Sequence, residues 1–437
     1  MQLPRSSKIW RHVPRKMFRG TRIAILAAAL APAIALAQTA FSWQQVKDKF
    51  EAANPTLKAA QLNIDESRAA EITAYLRPNP DLSLSLDGFQ VNSNGGPYRP
   101  LSGVVETPGI SYLHERRHKR ELRRDTARES AVIAQSTYLD QERNLLFNLR
   151  NAFVQVLQAK AVVKNARENL DYWERALGIN RTRYRAGDMA QVDLDRLELE
   201  TVQFESDLET ASVNVRTAKI QLLTLLNDRT AIERFDVAGA YDFSERMGTM
   251  EEYRAAALEA RPDLKAAVEN VELARLNHQL AVANGSTDPT FSIWYSHNPS
   301  FSNPYANQTV GGSISIPLRI FDRNQGEKAR TQIDIGRNQR LWEAAQAQVL
   351  SDVDSAYVTL VSTVRLLRPY RDKYLKLAED TRNRIAFSYQ HGGASLLDYL
   401  DAEKAYRDTR LAYLNLIGSY LTAAAQLNMA VGREVIP

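Results

Sequence analysis

The sequence predicts a mainly α chain with a small β part, in which one unit of long coiled-coil helices and paired strands is used twice. Three observations carry that reading. Segments recur at offsets of 205 to 209 residues, prolines gather in two windows, and the proline-free stretches return apolar residues every seven positions.

Residues 1–37 have the layout of a secretory signal peptide. A basic stretch precedes an apolar run from Ile23 to Leu36, and Ala35-Leu36-Ala37 stands before Gln38 as a small-residue cleavage site. Removing these residues takes away seven Lys/Arg and no Asp/Glu, leaving 49 against 51 and a net charge of −2 in place of +5. The basic character therefore belongs to the signal and gives no support to a nucleic-acid partner. The chain has no cysteine, which excludes disulfides, thiolate metal sites and an N-terminal lipid-bearing cysteine. No later stretch reaches the ~18 to 20 apolar residues of a membrane-spanning helix. The expectation is an exported chain that starts at Gln38 and has no helical anchor.

Two units follow, residues 38–230 and 249–437, joined by a linker or equatorial segment at 231–248. "NPTLKAAQ" from Asn54 returns as "RPDLKAAV" from Arg261, 207 residues on. "RYRAGDMAQVDLDRLELE" from Arg183 returns as "SYQHGGASLLDYLDAEKA" from Ser388, so that Tyr184, Gly187, Asp193 and Glu198 face Tyr389, Gly392, Asp398 and Glu403 at an offset of 205. Repeats of this size mark duplicated supersecondary units.

Strands are expected in the proline-rich windows, Pro78 to Pro108 and Pro289 to Pro317. In "DLSLSLDGF", Leu82, Leu84 and Leu86 alternate with Ser83, Ser85 and Asp87; in "TVGGSISIP", Val310, Ile314 and Ile316 alternate with Gly311, Ser313 and Ser315. Period two gives a strand with one apolar face. "SGVVETPGISY" and "PTFSIWYSHN" are less regular members of the set. Each run is about 9 to 11 residues, enough for a tilted strand to cross an outer membrane. "NSNGGPYRP" and "NPSFSNPYANQ" read as the loops between them.

Helices are expected where proline is absent, because proline is excluded from helix interiors. None lies between Pro108 and Pro262. Leu149, Val156, Val163, Leu170 and Leu177 recur every seven residues, with Leu139, Leu146 and Phe153 on the other seam until Lys160 and Arg167 interrupt it. That is a sustained coiled-coil pattern, and it predicts one helix from about residue 113 to 186.

Four strands cannot close a barrel, and open sheet edges are not tolerated in lipid, so several protomers must share one. The alternative is a soluble coiled-coil scaffold with two short hairpins, which predicts no membrane fraction.

The whole chain beyond residue 37 resembles the TolC family of outer-membrane efflux proteins. "VETPGISY" and "ISIPLRIFDRNQGEKAR" stand where such proteins leave their second strand, and the stretch from "YQHGGASLLDYLDAEKAYRD" to "NMAVG" is similar to the family's C-terminal helix pair. The resemblance implies a homotrimer with a 12-stranded outer-membrane β-barrel and a periplasmic α-barrel. It also implies a periplasmic adaptor and an inner-membrane RND-type pump as partners, outer-membrane lipid around the barrel, and no cofactor, metal or catalytic residue. "IPLRIFDRNQGEKAR" is most similar to the branch that includes CzcC, whose members serve heavy-metal efflux; a multidrug or type I secretion duct is the alternative.

"HERRH", His114 to His118, matches the H-E-x-x-H pattern of zinc proteases. A zincin needs that pattern on a helix in a metal cleft with a third ligand. Here it sits where a strand gives way to a long helix, within a run carrying six Arg/Lys in ten residues. A chance match on a solvated helix is the expectation, with zinc proteolysis as the remote alternative. The basic run Arg116 to Arg124 reads as a solvated face paired with acidic neighbours, or else as a contact to anionic lipid.

Tyr184, Gly187, Asp193, Tyr389, Gly392, Asp398 and Asp401 fall at the two turns joining paired helices. Turn and cap chemistry accounts for the glycines and for the capping-box spacing of Ser395 and Asp398. The resemblance adds that these turns form the periplasmic gate and adaptor-docking tip, and that Tyr389 can bond Asp193 to hold the mouth shut. Ala394 stands where some relatives carry an arginine of the closing network.

Overall fold

The computed structural model describes residues 40–93, 95–299 and 307–436. The expected signal peptide and Gln38 lie outside them, as does the centre of the expected loop at 298–308.

Each copy opens on two short helices. α1 (Trp43–Ala53) and α2 (Pro55–Ala74) in the first copy correspond to α5 (Met250–Ala260) and α6 (Pro262–Asn284) in the second. Ser42 and Thr249 begin them with reciprocal capping boxes. Pro55 and Pro262 then each end one helix and start the next, since proline fits a first helical turn and not an interior.

The four expected strands form one antiparallel sheet in chain order: β1 (Asp81–Asp87), β2 (Val105–Leu113), β3 (Thr290–His297) and β4 (Gln308–Ser315). They are 7, 9, 8 and 8 residues long, so β2 has the expected length and the other three are shorter. The quoted runs had included turn residues such as Gly88, whose φ of 87° takes the chain out of β1. The register sorts the side chains by polarity. Leu84 faces Pro108, Ile110 faces Ile293 and Phe291 faces Ile314, while Ser85 faces Thr107 and Ser111 faces Ser292, which faces Ser313.

Exposure then runs opposite to that of a water-soluble sheet. The apolar face is the open one, with Leu82 81%, Ile293 64% and Val310 76% exposed. In β2 and β3 the opposite face, with Thr107, Gly109, Ser111, Ser292 and Trp294, is partly shielded, while β1 is exposed on both faces. A sheet with a solvated side puts apolar residues inward; an apolar band outside and a polar lining inside belong to a barrel wall in lipid. Both edges, β1 and β4, lack a neighbour among the described residues.

The long helices hang from this sheet. α3 (Lys119–Ala186) has 68 residues, on the order of 100 Å, and turns back into α4 (Gln191–Leu225). In the second copy α7 (Gln325–Pro369) passes through a π segment, Tyr370–Tyr374, into α8 (Leu375–Gln390), which turns back into α9 (Leu396–Val431). Leu149, Val156 and Leu177 of the expected seam are buried in the protomer core. α4 carries two seams at heptad spacing. Leu197, Phe204, Ala211 and Ala218 are buried, whereas Val192, Leu199, Val213 and Ile220 are 46 to 71% exposed. Residues 231–248 lie across the helices as a strap, with Phe243 edge-on to Tyr420 and the Tyr241 hydroxyl donating to the Leu414 carbonyl at 2.6 Å. No described helix is long and apolar enough to cross a membrane.

Candidate functional site

HERRH lies on no helix. Residues 114–116 have no regular secondary structure, Arg117 and His118 have φ of 60° and 55°, and α3 begins at Lys119, six residues later than expected. The reason is local pairing. Glu115 turns back to an ion pair with Arg123, the Arg116 N–H donates to Asp288, and the buried Lys119 ammonium donates to Asp288 at 2.5 Å and to the Ser286 carbonyl at 3.0 Å. His114 packs edge-on to Phe291 while the His118 side chain is 87% exposed, so the two imidazoles do not share the helical face that zinc ligation requires. The same contacts account for the basic run: Arg120, Arg123 and Arg124 each pair with a carboxylate, and the first and last also lie over the Tyr75 ring.

The two helix-pair turns come together at the end of the helical part farthest from the sheet. Gly187 and Gly392 have φ of 83° and 76°, a region open to glycine at little cost. Both turns close the same way. Asp188 N–H donates to the Arg183 carbonyl at 3.0 Å, and Gly393 N–H to the Ser388 carbonyl at 2.8 Å, which satisfies carbonyls the helix end leaves free. Asp193 and Asp398 each occupy the first turn of the following helix, where the helix dipole favours negative charge. Ser395 completes the expected capping box, and its hydrogen bonds hold the Asp398 carboxyl below the usual carboxylate range. Asp401 is exposed one turn further on.

The two copies differ at their tyrosines. Tyr184 is 37% exposed, whereas Tyr389 is buried and stacks on Tyr399 at 5.1 Å between centroids, with the Arg183 guanidinium over its ring at 5.3 Å. Burial pushes the Tyr389 phenol up, Arg183 opposing and Asp193 adding to the effect. Tyr389 and Asp193 are thus electrostatic neighbours, and the group lying on the ring is Arg183.

Behind Tyr389 runs a column of rings that sequence reading missed. Phe204 of α4 stacks on Trp173 of α3 at 4.8 Å, Trp173 faces Tyr399 of α9 at 6.1 Å, and Tyr399 meets Tyr389 of α8. Arg407 closes the far end, 4.2 Å from the Phe204 centroid, and is tied to Glu200 at 3.0 Å and Asp207 at 3.6 Å. Stacked pairs contribute about 0.5 to 1.5 kcal/mol each beyond burial, so the column fastens both helix pairs just behind the turns. Further toward the sheet, α3, α4 and α9 line an open groove of about 880 Å³, where Asn165, Asn169, Gln203, Asp207 and Lys404 alternate with apolar residues such as Val162 and Leu411.

Known proteins resemble the chain over both copies. The model of the outer membrane efflux protein family matches residues 46–228 and 254–433, one match to each copy. The chain is 25% identical over 390 residues to the cobalt-zinc-cadmium resistance protein CzcC of Cupriavidus metallidurans, covering 87% of each chain. It is 22% identical to the outer membrane protein TolC of Salmonella enteritidis, covering 89% of this chain and 81% of that one. A crystal structure of CusC has the same fold, with a TM-score of 0.75 at 18% identity over 90% of this chain and 92% of that one. An outward apolar sheet face, a duplicated helical body some 100 Å long and a family match over both copies lead to one conclusion: the chain belongs to the outer membrane efflux protein family, as a channel protein of the outer membrane with a large periplasmic helical part and not an enzyme.

Proposed function

We propose that the chain is the exit duct of a tripartite efflux system, in which three copies complete a 12-stranded barrel and a helical tunnel below it. The outward apolar face of a sheet whose two edges are unpaired among the described residues carries this reading, because such edges must be satisfied inside a membrane. The exposed heptad seam of α4 supports it independently, since a second coiled-coil seam calls for a second partner helix. An inner-membrane RND-type pump supplies the energy and a periplasmic adaptor docks at the tip formed by Tyr184, Gly187, Asp193, Tyr389, Gly392, Asp398 and Asp401. Asp398 and Asp401, one turn apart and both exposed, present six carboxylates in a trimer and favour cations at the mouth, as acidic rings do in channels. Heavy-metal cations are the proposed cargo, in keeping with the similarity to CzcC.

Outer-membrane extracts are expected to contain a species of about three chain masses that dissociates on heating. Deleting the gene is expected to sensitise cells to zinc, cobalt or cadmium more than to dyes and detergents. The similarity to TolC supports the second reading, a duct for organic molecules, and the reverse sensitivity pattern would establish it. Asp398→Ala with Asp401→Ala should lower cation preference in an assembled trimer; unchanged preference reduces both residues to helix caps.

A further inference from the structure

α7 and α8 form one long helix with a defect in it. Pro369 has no N–H to give, and in the five residues that follow the backbone widens to a π segment, where the Leu375 N–H reaches the Tyr370 carbonyl. Kinks and π segments are where long helices bend, and π segments are frequent at functional sites. None of Tyr370–Tyr374 is buried. Beyond the defect, the buried residues of α8 are Ala386 and Tyr389, both at its far end, so little apolar packing fixes the stretch between.

Tyr389 fastens its far end through the ring column and Arg183; midway along it, one buried ion pair holds it. The Arg382 side chain is 12% exposed, with its guanidinium 4.6 Å from the Tyr172 ring of α3 and 4.0 Å from the Tyr406 ring of α9. Glu403 of α9 lies alongside, 4% exposed, at 3.9 Å from the Arg382 Nε. That distance is an ion pair without a hydrogen bond, and the Glu403 Oε1 is buried with no hydrogen-bond donor. The groups facing Glu403 are Tyr172 from α3, Arg382 from α8, and Tyr399, Tyr406 and Arg407 from its own helix. Arg407 is committed to Glu200 and Asp207 of α4, which leaves Arg382 as the cation that answers Glu403.

We infer that α8 is a hinged arm with a proton-sensitive latch: Arg382, seated between Tyr172 and Tyr406 against Glu403, holds the arm on α3 and α9, and the Pro369–Tyr374 defect is where it bends. Burial pushes the Glu403 carboxyl up from its ordinary value, with Arg382, the Tyr172 hydroxyl and Arg407 opposing. The sign follows. Above that raised pKa the carboxylate is charged and the latch is held; as pH falls through it, the carboxyl takes a proton and Arg382 is left buried without a counter-charge. An unpaired buried cation is strongly disfavoured, so the arm is freed between the defect and Tyr389, and the ring column alone is left to hold the α8–α9 turn. Acid at the periplasmic side therefore favours the open mouth.

This rests on reading the tip as a gate, and the test separates the two. The chain lacks cysteine, so spin labels at Glu174→Cys on α3 and Arg384→Cys on α8, in labelled chains diluted among unlabelled ones, report the arm directly. Bilayer conductance of the same trimers reports the gate. Lowering pH from 8 to 4.5, the ordinary carboxyl value from which Glu403 is raised, should lengthen the label distance and raise conductance about five- to tenfold, the lower range of site-to-site coupling. Glu403→Gln should give the long distance and high conductance at every pH, and Glu403→Asp, if Gln fails to assemble, a transition displaced along the pH axis. An assembled Glu403→Gln trimer with the wild-type pH response in label distance overturns the latch. Absence of any conductance overturns the duct and leaves the distance measurement to decide the latch.

Discussion

Replacing Trp173 with alanine removes the centre of the ring column. The side chain is 1% exposed, is flanked by Phe204 and Tyr399, and donates from Nε1 to the Thr201 hydroxyl at 3.1 Å. Truncating a buried tryptophan costs about 3 to 5 kcal/mol, and the lost hydrogen bond adds about 1. Thr201 keeps its own bond to the Leu197 carbonyl, so no donor is orphaned and about 4 to 6 kcal/mol is the full effect. All the partners belong to α3, α4, α8 and α9 near the turns, and the loss must be local. Hydrogen exchange of the purified assembly should show amides around residues 170–205 and 385–403 opening about 10³- to 10⁴-fold more often, at about 1.4 kcal/mol per factor of ten, with the sheet unchanged. Trp173→Phe, which keeps a ring in the stack, should restore most of the protection. Exchange that rises equally in β1–β4, or by less than about tenfold near the turns, would refute the column as a local fastener.

Leu84→Arg places a charge on the outward face of the sheet and should destabilise the membrane-inserted form by about 2 to 4 kcal/mol, while Ser85→Arg on the lining face should cost little; heat dissociation of the assembly separates them. Lys119→Ala removes a buried cation from a half-buried Asp288 that keeps the Arg116 N–H and should cost about 1 to 3 kcal/mol by urea unfolding, whereas Lys119→Met with Asp288→Asn should recover much of it. Asp228 is held at about 2 by its ion pair with Lys49, below its ordinary 3.8. Its contribution is complete above pH 3.8 and is lost as pH falls toward 2, so the gap in melting temperature between wild type and Asp228→Asn should close over that interval. A gap that stays constant would assign the pair no linkage.

The local parts of the fold were legible because their signals are local. Strand alternation at Leu82–Leu86 and the heptads from Leu149 to Leu177 each lie within one element, and the duplication repeats in line. Sequence also placed Gly187, Gly392 and the Ser395–Asp398 cap correctly as turn chemistry. The start of α3 was misplaced because Lys119 and Glu115 take partners that no local pattern announces, one of them 169 residues away. The latch and the ring column were invisible for the same reason: Tyr172, Arg382 and Glu403 meet only once three helices are packed. Pro369, alone inside a helical stretch, was the one readable sign of the hinge.

The central claim is that the sheet is the wall of a water-filled duct, with Leu84 toward lipid and Ser85 toward the lumen. The absence of native cysteine allows single substitutions Leu84→Cys and Ser85→Cys to be compared in outer membranes with a water-soluble, membrane-impermeant maleimide. Labelling of Ser85→Cys and protection of Leu84→Cys is the predicted result. Equal labelling of both, or the opposite order, would contradict it.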